Sequence, residues 1–189
     1  MRVPYAPNTP PTATAEPIYA RIAARRAPRP LIPLDLALLH NPHVADGWNS
    51  FVGALRTQTS VPAGLRELAI ARVAVLNHAV HEWDVHAALA VEAGVSRTVL
   101  GAVLGAGAGA VPAAGLSDEE AAVLALTDQM TVGVQVEEAV MQRVKTVLGD
   151  KGTVEMVATV AGYNMVSRFL VALDVGECNG RGMKRAEDL

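Results

Sequence analysis

Three of the chain's five histidines fall within nine residues, in the segment His78-Ala79-Val80-His81-Glu82-Trp83-Asp84-Val85-His86. On one continuous helix His78, Glu82 and His86 stand at i, i+4 and i+8 and share a face, with successive side chains about 5–6 Å apart. His81 flanks that stripe, while Trp83 and Asp84 point elsewhere. A carboxyl one turn from an imidazole is a proton-transfer pair, because burial raises the carboxyl pKa, neighbours shift the imidazole, and both approach neutrality. A second carboxylate lies upstream. Glu67, flanked by Arg66 and followed by Arg72, interrupts an almost wholly apolar helix. A charge in such a helix needs a partner, and a short bend to the next helix brings Glu67 within reach of His86.

Other chemistries share these residues. Glu and His at i, i+4 on an exposed face form an ordinary solvated pair. His78, Glu82 and His86 also make a two-histidine, one-carboxylate set suited to zinc or iron. Against that reading, i and i+8 lie about 12 Å apart along a helix axis, so three such side chains converge poorly on one ion. We therefore expect no bound metal. A third reading is a non-catalytic, oligomeric binding protein in which the cluster is only satisfied in the core. Alternating Gly105, Gly107 and Gly109 suggest a phosphate loop, but no strand signal precedes them and no Gly-Lys-Ser/Thr follows.

The elements that must position the cluster are helical. Pro42 sits at a first-turn position of a helix over 42–55. Pro62 opens a second through Leu65, Leu68, Ile70, Val73 and Leu76, apolar on most sides and hence central. A third spans 80–93 and stops at Gly94, and Ser96 caps a fourth to 104. The glycine-alanine stretch 105–110 with Pro112 reads as a flexible connector. Ser117-Asp118-Glu119-Glu120 is a capping box for a helix to 132. Two more follow over 137–148 and 153–173, separated at Gly149. No segment alternates with period two, so the fold class is all-α, a single helical domain over 34–176. Eight of the eleven prolines fall in residues 1–33, read as an extended arm with one short helix near 18–24. Residues 177–189 read as a tail.

Half of the residues are hydrophobic (51%) but only 4% are aromatic, which implies a core of small side chains and closely approaching helices. The net charge of −3 and the lack of a basic stripe argue against nucleic acid. The basic run Arg21, Arg25, Arg26, Arg29 reads as solvated or partner-contacting. The lone Cys178 cannot form an internal disulfide, and neither a secretory signal nor a membrane-spanning run is evident, so a cytoplasmic location with no membrane partner is expected.

The run Leu65-Arg66-Glu67-Leu68-Ala69-Ile70-Ala71-Arg72-Val73-Ala74, then His81-Glu82-Trp83-Asp84-Val85-His86 and Ala93-Gly94-Val95-Ser96, resembles the carboxymuconolactone decarboxylase family, which includes the alkylhydroperoxidase D proteins. The likeness covers most of 30–175, including Leu39-His40-Asn41-Pro42 and Gly162-Tyr163-Asn164-Met165. It implies a helical bundle of the alkylhydroperoxidase D-like type. The peroxidase branch carries matches for Glu67 and His86 but also a Cys-x-x-Cys, whose positions here are Ala79 and Glu82. Without thiols no disulfide can cycle, which argues against a thiol peroxidase.

The resemblance implies instead a cofactor-free, decarboxylase-like lyase or isomerase acting on a small activated carbonyl or lactone acid, assembled as a homotrimer or homohexamer. Under this reading His86 delivers the proton, Glu82 or Glu67 sets its tautomer and charge, and His81 hydrogen-bonds the developing oxyanion. Arg72 or Arg168 holds a substrate carboxylate unless either is a salt-bridge partner of Glu67 or Asp174. Tyr163 and Asn164 line the pocket, with core packing the competing role for Tyr163. Trp83 packs in the core or at a subunit interface, and His40 and His43 lie at the surface.

Overall fold

In the computed structural model, residues 1–110 and 115–189 are described; Pro112 of the connector lies outside them. The described residues form eight α-helices: α1 (Glu16–Arg26), α2 (Pro33–Leu38), α3 (Pro42–Thr57), α4 (Ala63–Leu76), α5 (Val80–Glu92), α6 (Arg97–Gly105), α7 (Asp118–Asp128) and α8 (Glu138–Leu173). Among the described residues there is no strand. A π-helical turn, Gln129–Gly133, follows α7. Gly149 breaks α8 with φ 66°, ψ 177°, where the sequence placed a boundary between two helices. By length and hydropathy α8 could cross a membrane, but half of its most apolar window is buried within the bundle.

Helix α4 is the axis of the domain. Leu68, Ala69, Ile70, Ala71, Val73 and Ala74 are all fully buried. Their small volume lets α5, α6, α7 and α8 close around it. Side-chain caps hold the entries of the surrounding helices. Asn41 accepts from the backbone N–H groups of His43 and Val44, Ser96 from that of Val99, and Ser117 and Glu120 form a reciprocal box. Gly162 lets α8 approach α3 closely, since a Cβ there would lie 2.6 Å from Leu55 Cδ1.

The bend between α4 and α5 corrects one expectation. His78 adopts φ 56°, and the N–H groups of His78 and Ala79 return to the carbonyls of Val75 and Ala74. This is a Schellman closure of α4, with His78 in the left-handed position that glycine usually takes. His78 therefore lies outside α5, exposed to solvent, and the three-residue stripe reduces to Glu82 and His86. Gly94 closes α5 in the same way at φ 96°.

Two terminal segments pack more closely than their composition suggested. Ile18, Tyr19 and Ile22 of α1 form a small core with Ala6, Leu38, Leu39 and Ala45. A bidentate Arg26–Asp35 ion pair, with both bonds at 2.8 Å, ties α1 to α2. At the other end, Trp83 is fully buried and its Nε1 donates to the Lys184 carbonyl (2.9 Å), while Arg97 donates to that of Leu189.

Arg72, an expected substrate ligand, is fully buried away from any substrate. Its guanidinium donates to both carboxylate oxygens of Asp128 (2.6 and 2.9 Å) and to the carbonyls of Val103, Ala106 and Gly107. Asp128 also accepts from Gly109 N–H at 2.6 Å. The residues flanking the glycine-rich connector are thus fastened to α4 and α7. Its salt-bridge partner is neither Glu67 nor Asp174. Removing one member strands a buried charge, so Asp128→Ala is expected to cost about 3–5 kcal/mol of unfolding free energy, measured by urea denaturation.

Candidate active site

Glu67 projects from α4 and His86 from α5, and the two helices form an antiparallel pair across the bend. Their side chains meet at 2.6 Å between Glu67 Oε2 and His86 Nδ1, with only 4% and 6% of the residues exposed. The hydrogen bond and charge of His86 outweigh burial and hold the Glu67 carboxyl below its usual range. Burial pushes His86 below its ordinary value against the opposing pull of Glu67. The stable form near neutrality is therefore a Glu67 carboxylate accepting Nδ1–H from a neutral imidazole. The lone pair of Nε2 is then left facing the cavity as a base.

Glu82, one turn before His86 on α5, is in the opposite condition. It is 2% exposed, and among the described residues neither carboxyl oxygen has a hydrogen-bond partner. Burial drives its pKa far up, so it is held as the neutral acid. It makes no hydrogen bond to His86; of the two carboxyls offered by the sequence as the group that sets the tautomer, the structure pairs Glu67. Tyr163 from α8 stands edge-on to His86, with ring centroids 4.9 Å apart at 81°. Burial keeps its hydroxyl protonated. His81 is half-buried, and burial shifts it downward against the opposing charge of Asp84.

These groups share a cavity of about 420 Å³. One side carries His81, Glu82, His86 and Tyr163. The apolar remainder comes from Ile32, Pro33, Leu34, Trp48, Val52, Val166 and Leu170. Arg56 on α3 and Arg25, Arg26 and Arg29 from the end of α1 complete the wall. This changes the reading of the basic run. Arg21 pairs with Asp46 on the outer face, whereas the other three line the cavity.

Of the expected site residues, His81, Glu82 and His86 line the cavity together with Tyr163, and Glu67 stands behind His86, bonded to it. The other three substrate-binding candidates do not. Arg72 is committed to Asp128. Asn164 bonds Asn77 and Thr131, and Arg168 bonds Asn164 and the Thr131 carbonyl, so both brace α8 against the α4–α5 bend and the π-helical turn. Arg56 was missed, though a signal existed: Trp48, Val52 and Arg56 are spaced i, i+4, i+8 on α3 and all face the cavity. Among the described residues no three His, Cys, Asp or Glu side chains gather to hold a metal ion. Cys178 is buried beyond the cavity wall.

Fold and site together define an all-helical bundle with a buried imidazole–carboxylate acid/base centre. Residues 42–128, from α3 through α7 with Glu67, Glu82 and His86, match the carboxymuconolactone decarboxylase family. No curated protein matches the chain. Solved structures share its fold. An uncharacterized peroxidase-related protein from Silicibacter sp. TM1040 superposes with a TM-score of 0.72 at 16% identity, over 94% of this chain and 95% of that one. The debrominase Bmp8, solved with 2,3,4-tribromopyrrole, gives 0.67 at 14% identity over 92% and 87%. A protein of unknown function from Agrobacterium tumefaciens, suggested to be the antioxidant defence protein AhpD, gives 0.64 at 13% over 72% and 91%. At such identities the likeness extends to the bundle and not to its chemistry.

Glu82 couples this site to stability. The folded chain keeps a proton on Glu82 at pH values where the unfolded chain has released it. Stability therefore falls as pH rises from about 4.3 through the raised folded value, by at most about 1.4 kcal/mol per pH unit. Glu82→Gln removes that slope, so its stability relative to the native protein should climb in denaturation midpoints as pH rises above about 4.3.

Proposed function

We propose that the protein is an acid/base enzyme that needs no cofactor and performs decarboxylation or proton transfer on a small activated carbonyl or lactone acid. One observation carries this reading. Two glutamates beside one cavity are pushed in opposite directions, Glu67 ionised against His86 and Glu82 protonated and unpaired. Environments that split the pKa values of neighbouring groups assign an acid and a base.

The assignment modifies the one reached from sequence. His86, anchored by Glu67, is a base through Nε2, and Glu82 is the proton donor. In decarboxylation the carbon–carbon bond to the departing carboxylate breaks and its electron pair enters the conjugated carbonyl of the substrate. Carbon dioxide leaves, the dienolate takes a proton from the Glu82 carboxyl, and solvent reprotonates Glu82. In isomerisation His86 removes a proton from carbon, Glu82 returns one elsewhere on the conjugated system, and exchange with solvent resets both groups. Tyr163 and His81 donate hydrogen bonds to the oxygen on which charge develops. A conjugated acceptor already in the substrate supplies the electron sink, which is why these side chains suffice. The fold of neighbours such as a debrominase does not favour dehalogenation here, because no thiol lines the cavity.

The test is turnover of 4-carboxymuconolactone, followed by substrate loss and carbon dioxide release. The native protein should turn over, and Glu82→Gln, which removes the proton donor of both routes, should lose about 10²–10⁴-fold while remaining folded; His86→Ala should lose as much where a proton is removed from carbon. Where both groups act, with His86 neutral and Glu82 protonated, kcat/KM should be bell-shaped. Its acid limb lies below the ordinary histidine value and its alkaline limb is set by Glu82. Unaltered turnover in Glu82→Gln would remove Glu82 from the mechanism.

A further inference from the structure

The cavity holds more cationic charge than its own side chains neutralise. Arg26 is committed to Asp35. Among the described residues Arg25, Arg29 and Arg56 have no carboxylate within ion-pair distance. Arg25 makes one bond, to the Asn49 carbonyl at 3.3 Å. Partial burial and the charge of Arg26 weigh against its protonated form while Asp35 favours it, and both Arg25 and Arg29 are exposed residues of the cavity wall. Arg56 is half-buried, faces the cavity and acts electrostatically on Glu67, His86 and Tyr163. The acidic groups on the wall do not answer this charge. Asp35 is taken by Arg26, Asp84 accepts from Lys184 N–H, Glu92 is exposed at the rim, and Glu82 is neutral.

The remainder of the wall is apolar, with Trp48, Val52, Leu34 and Leu170 prominent. A volume of about 420 Å³ lies in the range of pockets that enclose ligands well beyond a bare lactone ring. From this juxtaposition we propose that the cavity recognises an amphiphilic carboxylic acid, its carboxylate held by Arg56 with Arg25 and Arg29, and its apolar body laid along Trp48, Val52 and Leu170. A guanidinium matches a carboxylate with paired donors, and the bond strengthens where water is excluded. Arg25 and Arg29 lie outside the family-matched segment, so α1 and the turn that follows it add a selectivity wall to the acid/base centre that α4 and α5 supply.

The substrate class rests on the proposed function, but the recognition can be tested without turnover. Binding of 4-phenylbutanoate, of its neutral isostere 4-phenylbutanamide and of acetate is measured by calorimetry on the native chain, Arg56→Gln, Arg56→Lys and the Arg25→Gln/Arg29→Gln double variant. The acid should bind the native chain at least about tenfold more tightly than either the amide or acetate. In Arg56→Gln the acid–amide preference should shrink to within about twofold, with Arg56→Lys and the double variant intermediate. Thermal melts check that each variant is folded. Equal affinity for acid and amide in the native chain overturns the proposal. So does a lack of binding by the acid at millimolar concentration, or full preference retained in folded Arg56→Gln. Glu82→Gln and His86→Ala should keep the acid preference. Loss of the proposed chemistry with that preference intact would sink the reaction alone.

Discussion

Helix α4 is buried on nearly every side and yet carries two buried charged residues, Glu67 and Arg72, and the surrounding structure is arranged around that cost. Taking a lone ion out of water is prohibitive unless oppositely charged and hydrogen-bonding groups replace the solvent. Arg72 is answered by Asp128, by the Val103 carbonyl of α6 and by the connector carbonyls of Ala106 and Gly107, which fastens α6, α7 and the connector to the axis of the domain. Glu67 is answered by His86 across the bend and by the neighbouring Arg66 at 3.4 Å, and the first of these ties α5 to α4. One charge builds the scaffold and the other poises the chemistry.

The contrast between Glu67 and Glu82 shows how location rather than residue type decides protonation. Both carboxyls are almost fully buried. One faces an imidazole and stays ionised; the other faces none and keeps its proton. The small residues of α4 contribute as well, because they let α5 and α8 approach until Tyr163 stacks edge-on against His86. Around this dry centre, α1 and α3 bring guanidinium groups to the open side of the cavity. A neutral acid and a neutral base would thus operate within the field of nearby cations, which favours negative charge developing on a bound molecule.

Much of this was legible in the sequence, and the reasons are local. Helix limits followed from Pro42, from the Ser96 and Ser117 caps and from Gly94 and Gly149, since each acts on the backbone of its own neighbours. The Glu67–His86 meeting was also legible, because a carboxylate in an apolar helix and a histidine one hairpin away have few other partners. The position of His78 was not. Helical periodicity placed it on the α5 face, but the chain spends that residue in closing α4, and periodicity carries no information about which residue takes a left-handed cap.

Arginine was the residue the sequence could least assign. Arg72 and Arg168 seemed suited to a substrate carboxylate, and Arg25, Arg26 and Arg29 to solvent or a partner. A long, flexible side chain reaches whatever tertiary packing places within several ångströms, and that is decided by segments distant in the chain. Arg72 met Asp128, Arg168 met Asn164, and the α1 arginines met a cavity because Ile18, Tyr19 and Ile22 docked that helix onto α2 and α3. By itself the sequence determined the helices, their order and the residues able to move a proton, all of which depend on short-range spacing. Only the tertiary structure decided which carboxyl is charged and which cations face the cavity, because both depend on burial and on neighbours remote along the chain.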